Sequence, residues 1–161
     1  MLTTDDMAAP NVNTDQMTYR PIEILLVDDD VGDVQLTLEA FEDGSLGNRL
    51  HVAGDGEKAL AFLRREAPYE SAPRPDLILL DLNMPRKGGH EVLADLKADP
   101  SLATIPVAIV TGTVEEGEIL EAYNLGVACY VTKPIDVTKL MIAVCSIPHF
   151  QVTVMTSEAA S

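Results

Sequence analysis

Acidic side chains stand at two points of the chain where a short apolar run ends. Asp28 and Asp29 follow the run IEILLV, and Asp81 follows the run DLILL. Thr111 follows a third run, PVAIV, and Lys133 lies just beyond a fourth, VACYV. A carboxylate can act as a nucleophile toward phosphorus when a metal ion, a fixed cation and a hydroxyl surround it. These residue types therefore predict phosphoryl-transfer chemistry, provided that the fold brings them together.

Convergence of the acidic residues would create a charge problem. If the first and third strands are neighbours, Asp28, Asp29 and Asp81 meet at one edge of the sheet. Two carboxylates about 4 Å apart repel each other by about 4 kcal/mol at an effective dielectric constant of about 20. A hard divalent cation with oxygen ligands relieves this repulsion, and Mg²⁺ fits that description. We therefore predict a Mg²⁺ site, with Lys133 as a second positive charge beside it.

The pattern of apolar residues indicates which elements must position these side chains. Five runs are predicted as strands, at residues 22–27, 50–53, 76–80, 106–110 and 127–131. Five stretches with helical periodicity alternate with them, at residues 33–42, 57–65, 89–98, 115–125 and 137–146. This alternation predicts an α/β fold, a parallel sheet covered by helices on both faces. Ligands in such folds bind beyond the carboxyl ends of the strands, where the residues described above lie.

Length and composition limit the possible classes of protein. The 161 residues predict one domain, and 47% hydrophobic residues are enough for a packed core. The formal net charge of −15 argues against binding to nucleic acid, whose phosphates it would repel. No apolar run is long enough to cross a membrane, so we expect a cytoplasmic protein.

Two features of the composition are less specific. The acidity is consistent either with an ordinary solvated surface or with adaptation to high salt, and the sequence leaves both open. The two cysteines, Cys129 and Cys145, have no partner motif and are expected to be buried small hydrophobic residues.

Four motifs together carry a family resemblance. VDDD, DLILLDLNMP, PVAIVTGT and YVTKP, in this order and spacing, resemble the receiver domain of two-component response regulators. The resemblance implies a flavodoxin-like, three-layer α/β/α fold whose five parallel strands have the order 2-1-3-4-5. It implies a receiver domain at residues 21–147. Residues 1–20 would then be a flexible arm and residues 148–161 a C-terminal extension.

The same resemblance assigns roles around the phosphorylation site. Asp81 would be the phosphoacceptor. Asp29 and Asp81 would hold Mg²⁺ together with the backbone carbonyl of Asn83, and Asp28 would act mainly through water.

Further roles follow from the motifs of the last two strands. Thr111 and Lys133 would bind the phosphoryl oxygens, and a cis bond would precede Pro134. Tyr130 matches the aromatic residue that turns inward on activation in this family, and Thr111 would move with it as the second switch residue.

The function implied by the resemblance is that of a single-domain response regulator. It would accept a phosphoryl group from a histidine kinase or a phosphotransfer protein and signal by binding other proteins. It would not be an enzyme, apart from possible self-catalysed phosphorylation and dephosphorylation. The segments GGHEVLADLKADPSLATIPVAIVT and PHFQVTV are similar to small receivers that partner phytochrome-type histidine kinases. That similarity implies a possible homodimer through the fourth helix, the fifth strand, the fifth helix and the C-terminal tail.

Two alternatives belong to other classes of protein. Asp28 and Asp30 have the spacing of a Mg²⁺-dependent phosphatase of the haloacid dehalogenase type, in which Asp28 would be the nucleophile. That hypothesis leaves the motif around Asp81 unexplained. A transcription factor is disfavoured because the fourteen residues after Ile147 are too few for a helix-turn-helix domain.

Overall fold

The protein is an α/β structure in which five strands form one parallel sheet. The computed structural model describes residues 22–43, 48–84, 88–122 and 125–147. The strands are β1 (Ile22–Val27), β2 (Asn48–Ala53), β3 (Leu77–Asp81), β4 (Val107–Thr111) and β5 (Cys129–Thr132). The helices are α1 (Val31–Asp43), α2 (Gly56–Arg64), α3 (Gly89–Ala98), α4 (Val114–Ala122) and α5 (Val137–Cys145). The strand order is β2-β1-β3-β4-β5, which confirms the predicted flavodoxin-like order 2-1-3-4-5.

Strands β1 and β3 are buried along their whole length because helices cover both faces of the sheet. Alternate residues of β1 enter different cores. Leu25 and Val27 pack with side chains of α2 and α3, such as Phe62, on one face. Ile24 and Leu26 pack with side chains of α1 and α5 on the other face. The sheet is therefore held rigidly in the middle, and its strand ends have fixed positions.

Acidic side chains begin three of the helices. The Asp30 carboxylate accepts a hydrogen bond from the Asp33 N–H at the start of α1. Asp55 caps α2 and Asp136 caps α5 in the same way. Each of these carboxylates accepts a hydrogen bond from the backbone N–H three residues later. Asp30 is therefore the cap of α1.

Most predicted boundaries lie within one or two residues of the observed ones. Helix α3 has the predicted bounds. Helix α4 ends at Ala122, earlier than the predicted end at residue 125, and β5 starts at Cys129, two residues later than predicted. The proposed arm at residues 1–20 and the extension at residues 148–161 lie outside the described residues. Within residues 22–43, 48–84, 88–122 and 125–147, no helix is long and apolar enough to cross a membrane.

One prediction about the core is wrong. Cys145 is exposed and Cys129 is half-buried, although both were expected to be buried. Cys145 lies in the last turn of α5, directly after Ala143 and Val144, which face the core. The next position along a helix turns away by about 100°, since a turn takes 3.6 residues, and this places Cys145 toward solvent.

Candidate functional site

The carboxyl ends of β1 and β3 bring three carboxylates together. Val27 pairs with Leu80 in the parallel ladder, so the residues that follow β1 lie level with the end of β3. Asp28, Asp29 and Asp81 each offer an oxygen, and these oxygens all lie within 4.8 Å of one another. Asp28 and Asp81 are buried, whereas Asp29 is exposed. The cluster is thus open to solvent on the side of Asp29.

Lys133 reaches this cluster from the end of β5. Its Nζ lies 2.8 Å from Asp81 Oδ2, 3.5 Å from Asp28 Oδ2 and 2.5 Å from Asp33 Oδ2. The Lys133 N–H donates to the Thr111 carbonyl, and the bond between Lys133 and Pro134 is cis, as the resemblance implied. Burial disfavours the ammonium, but hydrogen bonds to Asp33 and Asp81 outweigh this effect and raise the pKa of Lys133 above its ordinary value.

Backbone amides orient the two buried carboxylates. Asp28 Oδ1 accepts from the Asp30 N–H, and Asp81 Oδ1 accepts from the Asn83 N–H, both at 2.9 Å. Burial raises the pKa of Asp28 to about 6, although the Asp30 N–H and the charge of Lys133 oppose the shift. The neighbouring carboxylates of Asp81 and Asp33 add to it. Among the described residues, this site therefore holds more negative charge than Lys133 neutralises.

The donor atoms fit a hard divalent cation. All three candidate ligands are carboxylates, they lie close together, and Asp29 faces solvent, so a bound ion could keep several waters. Among the residues that the structure describes, no cysteine or histidine joins this cluster. Asn83 lies two residues beyond Asp81 with its side chain exposed, and the predicted role of its backbone carbonyl stays a prediction.

The two predicted switch residues lie on the neighbouring strands β4 and β5. Thr111 is almost fully buried, and its hydroxyl donates to the Thr113 carbonyl at 3.1 Å and to the Val131 carbonyl at 3.4 Å. The hydroxyl is thus bonded to backbone oxygens of the neighbouring loop and strand. Tyr130 is half-buried on β5 and packs against the core on the α2 and α3 side of the sheet.

Sequence reasoning missed two residues that the structure connects to the site. Asp33, the first residue of the predicted helix 33–42, was given no role at the site, yet it pairs with Lys133 across 100 positions of sequence. Glu116, in the first turn of α4, accepts hydrogen bonds from Gly112 and Asn83. The only sequence signal for Glu116 is the spacing Thr113-x-x-Glu116, which is typical of a capping box and not of an active site.

A cleft of about 480 Å³ lies between α4 and α5, beside the edge strand β5. Apolar side chains line much of it, including Val114, Ile142 and Tyr130, and Lys139 contributes a cation. Val114 is 60% exposed and Ile142 is 54% exposed. This face is therefore more apolar than a solvated helical surface requires.

Comparison with known proteins gives one consistent result. The response regulator receiver domain matches residues 24–145. The response regulator Rcp1 of Synechocystis is 41% identical over 140 residues, which are 87% of this chain and 95% of Rcp1.

Solved structures agree with the sequence match. The bacteriophytochrome response regulator RtBRR superposes with a TM-score of 0.75 at 35% identity, covering 87% of this chain and 89% of that one. The phosphorylated cyanobacterial phytochrome response regulator RcpA superposes with a TM-score of 0.65 at 41% identity, covering 77% and 89%. A Mn²⁺-bound structure of Rcp1 superposes with a TM-score of 0.66 at 36% identity, covering 83% and 100%.

Proposed function

The chain belongs to the response regulator receiver family, and from this membership we propose that it is a single-domain response regulator phosphorylated on Asp81. The observation that supports this most directly is the setting of Asp81. Its buried carboxylate accepts from the Asn83 N–H on one oxygen and from the Lys133 ammonium on the other. A nucleophile held in this way is oriented before its substrate arrives.

The donor is the phosphohistidine of a sensor histidine kinase or of a phosphotransfer protein. One oxygen of Asp81 attacks the phosphorus, and a new O–P bond forms as the P–N bond to the donor imidazole breaks. The leaving nitrogen keeps the electron pair and takes up a proton from water. Lys133 neutralises part of the charge on the transferred group, and the Thr111 hydroxyl exchanges its backbone acceptors for a phosphoryl oxygen.

Mg²⁺ is the cofactor that suits this site. Asp29 and Asp81 would hold it with the Asn83 carbonyl, and Asp28 would act through a bound water. When bound, the ion supplies positive charge beside the phosphoryl oxygens and screens the carboxylates from one another. The clustered oxygen donors support this assignment, as does the Mn²⁺-bound form of the relative Rcp1.

The output is a change of protein contacts. Movement of Thr111 toward the phosphoryl group leaves space that Tyr130 can enter, and this alters the face formed by α4, β5 and α5. Both conformations must be populated for phosphorylation to shift the balance between them. A cytoplasmic phytochrome-type histidine kinase is the partner that the two phytochrome regulators in the comparison suggest.

A second copy of the chain is the proposed occupant of the same face. Exposed Val114 and Ile142 line the cleft beside the edge strand β5, and Ile119 is a further exposed apolar side chain of α4. A symmetric dimer would cover them. Ile142→Asp should then convert a dimer into a folded monomer in light scattering, whereas Leu36→Asp, a matched change on α1, should not. A wild-type protein that stays monomeric at high concentration would rule out the dimer.

Chemical labelling tests the phosphoacceptor. Incubation with acetyl phosphate and Mg²⁺ should add one phosphoryl group per chain, measured by intact mass, and Asp81→Asn should remove it. The matched control is Asp76→Asn, five residues earlier, which should label normally. Full labelling of the Asp81 variant would refute the assignment, and a label on Asp28 would support a phosphatase of the haloacid dehalogenase type instead.

A further inference from the structure

The carboxylate of Glu116 connects the two loops that follow β3 and β4. Its Oε1 lies 2.9 Å from the N–H of Gly112, which comes directly after Thr111. Its Oε2 lies 3.3 Å from Nδ2 of Asn83, which comes two residues after Asp81. One anionic side chain from α4 thus accepts hydrogen bonds from both loops beside the phosphoacceptor.

These two donors are close to Asp81 itself. Asn83 donates to Asp81 with its backbone N–H and to Glu116 with its side-chain amide, so the two carboxylates share this residue. Asp81 pairs with Val110 in the ladder between β3 and β4, which places Gly112 just beyond the level of Asp81. An anion attached to Asp81 would need donors in the same region.

Glu116 also fixes the start of α4. Its own N–H donates to the Thr113 hydroxyl, and the Thr113 carbonyl accepts from the Thr111 hydroxyl. A methyl group on the next residue, Gly117, would lie 3.4 Å from Thr111 Oγ1, so the helix already packs closely on the switch threonine. The first turn of α4, the Gly112 loop and Thr111 therefore form one connected unit.

We propose that Glu116 is a positioning residue whose carboxylate occupies, in the unphosphorylated protein, the anion position that the phosphoryl group takes over. This inference rests on the proposed role of Asp81 as phosphoacceptor. The phosphoryl group brings additional negative charge and three acceptor oxygens next to a carboxylate that already uses the nearby donors. Repulsion and competition for the Gly112 N–H then displace Glu116 and release the first turn of α4. Phosphorylation at Asp81 is thereby coupled to the face formed by α4, β5 and α5.

Two substitutions at Glu116 separate charge from hydrogen bonding. Glu116→Gln removes the charge but keeps an oxygen that can accept from Gly112, whereas Glu116→Ala removes both. Glu115→Gln and Glu115→Ala are the matched controls, because Glu115 carries the same charge in the same turn and is exposed. The measurements are the initial rate of labelling by acetyl phosphate in saturating Mg²⁺ and amide hydrogen exchange at Gly112 and in α4.

Both Glu116 variants should label faster than the wild type by about tenfold, equivalent to about 1.4 kcal/mol of barrier, and the Glu115 variants by less than about twofold. Glu116→Ala should lose exchange protection at Gly112, and Glu116→Gln should keep most of it. In the wild type, addition of beryllofluoride, which mimics the phosphoryl group, should increase exchange in the first turn of α4.

Equal labelling rates in the Glu116 and Glu115 variants would overturn the inference, as would unchanged protection of Gly112 in Glu116→Ala. These outcomes differ from failure of the proposed function. If the wild type takes no label, or if Asp81→Asn still labels, the assignment of Asp81 is wrong. The exchange comparison without any phosphodonor still decides in that case whether Glu116 holds the Gly112 loop.

Discussion

The sheet buries carboxylates in two regions, and the two regions differ in how far basic side chains compensate the negative charge. At the carboxyl end, Asp28 and Asp81 share Lys133 with Asp33. At the other end of β1, the buried Glu23 lies 2.7 Å from Nε2 of His51 and 3.4 Å from a guanidinium nitrogen of Arg49.

The difference lies in the ratio of anions to cations. Glu23 is one carboxylate between two basic side chains of β2, and Arg49 is its direct partner in the ladder. The side chains of Arg49 and His51 therefore supply the partners of the Glu23 carboxylate. In the part of the chain that the structure describes, the carboxyl-end cluster has several carboxylates around the ammonium of Lys133, and it has Asp29 at its open side. A buried acid that is locally neutralised supports the fold, whereas a cluster left with excess negative charge is suited to bind a cation.

Lys133→Met should produce the largest change in stability. Without Mg²⁺ the variant leaves Asp28, Asp33 and Asp81 uncompensated, and the free energy of unfolding should fall by roughly 2 kcal/mol, a value reduced for the partial exposure of the lysine. Urea unfolding in EDTA and in saturating Mg²⁺ measures this free energy of unfolding, and Mg²⁺ should restore part of the stability that the variant loses. Equal losses with and without Mg²⁺ would show that the charge deficit is not what matters.

Asp29→Ala should weaken Mg²⁺ binding by about tenfold or more, because a direct ligand is lost. Asp28→Ala should weaken it less, since its predicted contact passes through water. Isothermal titration with Mg²⁺ measures both affinities, and Glu23→Gln serves as the control that should bind normally. Similar losses in the two Asp variants would contradict their separate roles.

Glu23→Gln should lower the free energy of unfolding by about 1 kcal/mol, since the charge that Arg49 and His51 face is removed. Labelling of Asp81 by acetyl phosphate should be unchanged. Chemical denaturation and intact-mass labelling of the same preparation give the two numbers. A substantial loss of labelling in a folded variant would mean that the two buried regions are coupled.

Deletion of residues 1–20 should have the smallest effect, below about 0.5 kcal/mol, because this segment has no apolar stripe to pack against the domain. Mg²⁺ affinity and the labelling rate should both match those of the full chain. Thermal unfolding of the two forms is the direct comparison, and a large drop in melting temperature would show that the segment docks on the core.

Much of the fold could be predicted because local pattern and burial agree. Runs such as IEILLV are apolar throughout, as strands covered on both faces must be, and helix α3 carries its buried Val92, Leu93 and Leu96 on one side. The observed strand bounds differ from the predicted ones where hydrogen bonding to the neighbouring strand sets the end of the strand. Asn48 and Arg49 belong to β2 because they pair with β1, although their polarity gives no strand signal.

The sequence by itself determined which residue types follow the strands, and hence that Asp28, Asp29, Asp81, Thr111 and Lys133 converge once the strands are parallel. Only the tertiary structure decided how these groups are bonded. Asp33 pairs with Lys133, the Thr111 hydroxyl is bonded to backbone oxygens, and Glu116 joins the loops beyond β3 and β4. Strand ends follow from periodicity, which is local. Hydrogen-bond partners depend on where side chains from distant elements point, and no local pattern specifies that direction.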